Sequence, residues 1–114
     1  MKFIIDGEPI IQQRARKGKY AQIYDPSAKA KKGLGMALLN ARQGAKSSIL
    51  GGDISIRVKF FGMTRSDLDN AIKALLDAAN GVLWQDDRQV VHIEAWKHPT
   101  EKGKERTEVE INSL

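Results

Sequence analysis

Cysteine is absent from this 114-residue chain, which excludes disulfides and thiolate-bound zinc or iron–sulfur centres. Histidine is scarce, with only His92 and His98. Thiol catalysis is therefore excluded, and serine–histidine chemistry has little support. No apolar run approaches the ~20 residues of a membrane-spanning helix. The amino terminus, MKFIIDGEPI, passes directly into charge and proline and lacks a signal-peptide core. Internal repeats, low-complexity tracts and linkers are also missing. These absences lead to the expectation of a soluble, cytoplasmic protein forming one domain over residues 1–114, a size that supports a single modest core.

What is present is ordinary in amount and uneven in distribution. Apolar residues make up 41% and charged residues 29%, as in typical globular proteins. The first 50 residues hold ten Lys/Arg against three Asp/Glu, a net of +7, while residues 51–114 hold nine against eleven, a net of −2. That asymmetry reads as an electrostatic arm beside an acidic centre, and nucleic acid is the commonest partner of a basic surface.

The pattern of elements gives an α/β (α+β) class: a mixed or mostly antiparallel sheet of about four strands with two main helices. Lys2 to Asp6 reads as a strand and residues 12–24 as an exposed loop or irregular hairpin. Asp25 as N-cap and Pro26 at the first helical position open a helix running to about Ser47; Gly33 and Gly35 each weaken it by about 1 kcal/mol. Ile54, Ile56, Val58 and Phe60 alternate with polar residues, marking a half-buried strand. Leu68, Ile72, Leu75, Leu76 and Ala79 form one buried stripe on a helix from about Asp67 to Asn80, ended by Asn80-Gly81. Gln89–Lys97 and Arg106–Ile111 read as strands joined in a hairpin by a polar loop.

The chemistry concentrates between Arg65 and Val91. Asp67 and Asp69 head the second helix, Lys73 follows Asp69 by one helical turn, and Asp86-Asp87 precede the next strand. A capping box of Ser66 and Asp69 would explain the first pair structurally, and an exposed turn would explain the second. Carboxylates gathered in a small volume repel one another unless a cation joins them; an all-oxygen set favours Mg²⁺ or Mn²⁺. Yet if this helix returns antiparallel to its neighbouring strand, its ~14 residues separate the two pairs by ~21 Å, and spacing alone does not bring them together.

The motif D-L-D-N-x-x-K, then G, then W-x-D-D-x-x-V resembles the RusA-like Holliday junction resolvases. Asp67, Asp69, Asn70, Lys73, Asp77, Gly81, Asp86 and Asp87 all stand where that pattern places them. The resemblance implies a Mg²⁺-dependent endonuclease that nicks paired strands at four-way DNA junctions as a homodimer, bacterial or phage-encoded. It implies Asp67, Asp69 and Asp87 as catalytic metal ligands brought together in space, with Lys73 beside them and Asp86 and Asn70 as flanking members. The amino-terminal GEPIIQQRARKGKY departs from the family's P-P-S-x-N opening.

Arg14, Arg16, Lys17, Lys19, Lys29, Lys31 and Lys32 are the densest basic region and the expected phosphate contacts, against the alternative of a solvated loop and helix face. Tyr20 is a candidate base-stacking side chain; Trp84 and Trp96 read as core or interface anchors. Two rival functions remain open: a nucleic-acid-binding module without catalysis, and a nuclease with broader branched-DNA substrates.

Overall fold

The computed structural model describes residues 1–13, 23–63 and 68–114, with the backbone alone at 16–17. Its centre is the strand with the strongest apolar alternation, β4 (Ile54–Phe61), in which Ile54, Ile56, Val58 and Phe60 are at most 2% exposed. The other long strands are β1 (Lys2–Asp6), β5 (Val90–His98) and β6 (Arg106–Ser113). Sheet order is β1-β6-β4-β5. β6 lies antiparallel to both β1 and β4, whereas β5 lies parallel to β4. The sheet is thus mixed and four-stranded, as expected.

The expected hairpin of the last two strands does not form. β5 and β6 flank β4 on opposite sides. A strand as buried as β4 must pair its backbone polar groups along both edges, while β5, which exposes Val91, His92 and Ile93, tolerates an outer position. Residues 16–17 (β2) and 23–24 (β3) form a minimal antiparallel pair, the irregular hairpin of the sequence reading.

Two helices, α1 (Ala28–Gly44) and α2 (Leu68–Ala79), pack against each other and cover one face of the sheet. α1 begins later than its sequence suggests. Ser27, not Asp25, is the N-cap and makes no side-chain cap bond. Asp25 instead forms an Asx turn, its Oδ1 accepting from the Ser27 N–H at 2.9 Å, which occupies the carboxylate two residues before the cap position. Gly35 is explained by the helix pair: a Cβ there would meet the Ala78 carbonyl oxygen of α2 at 3.3 Å. α2 buries Ala71, Ala74, Leu75, Ala78 and Ala79. It ends as anticipated at Gly81, whose φ of +77° suits glycine and whose N–H donates to the Trp84 carbonyl at 2.7 Å.

Among the described residues nothing covers the opposite face of the sheet, which is largely polar with Ile4 and Trp96 exposed on it. Across it run rows of alternating charge such as Lys2–Glu110–Arg57–Glu94, with Arg57 within 3.2 Å of Glu94. Cross-strand pairs of this kind stabilise an open sheet face modestly.

Candidate active site

α2 carries two differently occupied flanks. Asn70 and Asp77 lie on the side of α1: the Gln12 N–H donates to the Asn70 carbonyl at 3.0 Å, and Lys31 of α1 lies 3.2 Å from Asp77. Asp69 and Lys73 are exposed. They are one turn apart, yet no ion pair forms between them, and among the described residues neither has another charged partner. Asp69 in the first turn of α2 suits the helix dipole, but among the described residues the Lys73 ammonium is displayed beside it with no bond that the helix requires. Half-buried Leu68, Ile72 and Leu76 share the side of the helix away from α1, next to Asp69, by their spacing of 100° per residue.

The second acidic pair is built into a rigid turn. Asp87–Gln89 form a single 3₁₀ turn with Asp86 as N-cap in a full capping box. The Gln89 carboxamide accepts from the Gln85 and Asp86 N–H groups and donates to the carbonyls of Leu50 and Gly52 at 3.0 and 2.9 Å. Asp87 Oδ1 accepts from the indole N–H of fully buried Trp84 at 2.7 Å. One oxygen of Asp87 is thereby fixed to the core, and among the described residues Oδ2 has no hydrogen bond. Asp86 is held below the usual carboxylate range by the Arg88 guanidinium and backbone N–H.

The two halves stand apart within one chain. β4 and β5 run parallel, pairing Ile54 with Val90 at one end and Phe61 with His98 at the other. α2 starts beyond the Phe61 end and finishes against Trp84, which also bridges Leu50 before β4. Asp69 therefore lies at the Phe61 end and Asp87 at the Ile54 end, with ten residues of α2, about 15 Å of axis, between Asp69 and Ala79. Among the described residues no three acidic or histidine side chains of one chain gather in metal-binding geometry. Asp67 and Ser66 lie outside the described residues. The donors are all oxygens, a set that fits a hard divalent cation.

The basic region divides. Lys29 and Lys32 are exposed on α1. Lys31 is only 16% exposed and lies 2.6 Å from Asp25 and 3.2 Å from Asp77, with its ammonium also donating to Gln12 Oε1; its charge is spent on joining α1, α2 and the amino-terminal segment. Arg14, Lys19 and Tyr20 lie outside the described residues, as do the side chains of Arg16 and Lys17. Trp84 is a core anchor, whereas Trp96 sits on the open sheet face with the Arg57 guanidinium 5.5 Å from its ring. A groove of about 580 Å³ on that face, lined by Lys2, Ile4, Arg57, Lys59, Trp96 and Glu108 among others, alternates in charge and offers no field of one sign. Sequence reasoning missed the Trp84–Asp87 bond and the Gln89 brace; the i, i+3 spacing of Trp84 and Asp87 was the signal available.

A protein-family model described as endodeoxyribonuclease RusA matches residues 6–112. The chain is also 30% identical, over an aligned length of 141 residues, to the uncharacterized protein YqaN of Bacillus subtilis strain 168, with all of this chain and 96% of the relative covered. The family match extends well past the acidic motif, across every strand of the sheet but the first four residues of β1 and the last of β6. The chain belongs to the RusA endodeoxyribonuclease family.

Proposed function

We propose that this protein is a Mg²⁺-dependent endonuclease that resolves four-way DNA junctions by paired nicks, acting as a homodimer in the cytoplasm of a bacterium or its phage, in recombination and repair. The observation that carries this reading is the Asp69–Lys73 display at the head of α2, unpaired among the described residues, in a chain of this family. Asp67, Asp69 and Asp87 would hold the ion, with Asp86 and Asn70 flanking them; Mn²⁺ would satisfy the same oxygens. A Mg²⁺ bound there supplies an activated water and stabilises charge on the leaving oxygen. Lys73 contacts the scissile phosphate. The Trp84 indole fixes Asp87 so that its free oxygen needs no reorganisation.

A second copy of the chain accounts for the separation of the two acidic halves. A two-fold axis beside β5 sets two β5 strands antiparallel, which carries the partner's Asp87 toward the end of the sheet where Asp69 stands. β5 is an edge strand and leaves Val91 56% and Ile93 39% exposed, a row of backbone groups and apolar side chains that favours pairing. Ile72 and Leu76 on the adjoining flank of α2 add apolar area. Each dimer then has two matched sites, as a two-fold-symmetric junction requires. Arg14, Arg16, Lys17, Lys19, Lys29 and Lys32 contact the phosphates of the arms, while Lys31 supports that surface from inside.

The decisive experiment incubates a labelled synthetic four-way junction with the protein in Mg²⁺ or EDTA and resolves the products on a denaturing gel. The expected result is symmetric nicking in Mg²⁺ alone, abolished by Asp69→Asn with junction binding kept. Binding without cutting by the wild type would leave only a DNA-binding module, and equal cutting of forks and flaps would broaden the substrate.

A further inference from the structure

Arg88 has no role in the reading above. Its side chain is 92% exposed, and its guanidinium lies on the carboxylate of Asp86, with Nη2 at 3.2 Å from Oδ2 and Nε at 3.4 Å from Oδ1. The backbone around it is held on both sides: the Arg88 N–H donates to Asp86 Oδ1 at 2.9 Å, and Gln89 pins the turn to Leu50 and Gly52. The turn does not need the guanidinium, because the backbone N–H already completes the cap and exposed ion pairs contribute little to stability. Arg88 is thus a cation on a fixed base, one residue beyond Asp87, held among the described residues only by a side chain of its own turn.

The two-pronged way in which Arg88 meets Asp86 is also the way a guanidinium meets a phosphodiester. Asp86 and a DNA phosphate therefore compete for the same fork. Resting on the nuclease reading, we propose that Arg88 binds the phosphodiester at or beside the one that is cut, exchanging Asp86 for DNA as the strand enters. In the dimer it arrives with the partner's Asp87, so the strand is held by Lys73 from one subunit and Arg88 from the other.

The test measures junction binding in Ca²⁺, without turnover, for wild type, Arg88→Ala and Arg88→Lys. Loss of a charge-assisted bidentate contact should weaken binding by about tenfold or more in Arg88→Ala. The slope of log affinity against log salt should shrink by about one. Arg88→Lys should recover the slope but not the full affinity. A neutral methylphosphonate at the contacted phosphate should weaken wild type but not Arg88→Ala, and Tm should be unchanged. Arg88→Ala with wild-type affinity and slope would overturn the proposal, as would a binding loss that tracks a loss of fold. Wild-type cutting with an indifferent Arg88→Ala sinks this contact alone; binding without cutting by the wild type sinks the nuclease reading alone.

Discussion

Asp69 and Asp87, two of the carboxylates we propose as ligands of one ion, are presented by opposite means. Asp69 is exposed at the head of α2 and unpaired among the described residues, so its placement follows the helix backbone. Asp87 has one oxygen anchored to the indole of Trp84, 0% exposed in the core. Trp84→Phe keeps most of the buried ring but removes that donor. It should lower stability by about 1–3 kcal/mol, the range for a lost hydrogen bond to a charged group. It should also slow junction cleavage by roughly tenfold or more through lost positioning of Asp87. Tm and single-turnover rates check both. In an Asp87→Asn background, itself expected to be inactive, the same change should retain only its stability effect.

Among the elements, the two helices are tied by Lys31, besides the Arg42 guanidinium of α1 that donates to the Val82 carbonyl at 2.7 Å. Burial opposes the charge of Lys31, but its bonds to Asp25 and Asp77 outweigh that and leave it raised above its ordinary 10.5. The same Lys31 bond, with help from Ser27 and Gln12, holds Asp25 far below its ordinary 3.8. The depressed carboxylate contributes stability that is present above pH 3.8 and lost as pH falls through its folded value. The raised ammonium contributes stability that is present below pH 10.5 and lost only above its folded value. Lys31→Met should therefore melt at a lower temperature than wild type throughout the neutral range, and the difference should shrink only below about pH 3.8. Thermal melts from pH 2 to 9 read this directly. A role in joining helices also predicts a salt slope of DNA binding that Lys31→Met leaves unchanged, whereas Lys32→Met reduces it by about one.

For the whole molecule, a site shared between subunits makes a prediction that a site within one chain does not. Asp69→Asn and Asp87→Asn homodimers should each be inactive. Mixed after subunit exchange, a heterodimer of the two keeps one site with Asp69 from one chain and Asp87 from the other, and should nick one strand of the junction. If each site lay within a chain, both sites of the heterodimer would carry a lesion and the mixture would stay inactive. Single-strand nicking on a denaturing gel separates these cases. Leu76→Asp, on the α2 flank beside Asp69, gives an independent readout, since it should shift the dimer toward monomer in sedimentation.

Local elements and the chemical inventory were legible in the order of residues. Alternation from Ile54 to Phe60 specified β4, the stripe from Leu68 to Ala79 specified α2, and Asn80-Gly81 specified its end, because periodicity and turn chemistry are local properties. The motif from Asp67 to Val90 was enough to point to the RusA family. That β6 passes to the far side of β4 emerges in the folded sheet, because pairing depends on which strand must bury both edges, a property of the assembled sheet. The fold also showed that Lys31 serves the helix pair and that Trp84 holds Asp87. Asp69 and Asp87 stand at opposite ends of a parallel strand pair because a helix that links parallel strands must return along the whole length of the sheet.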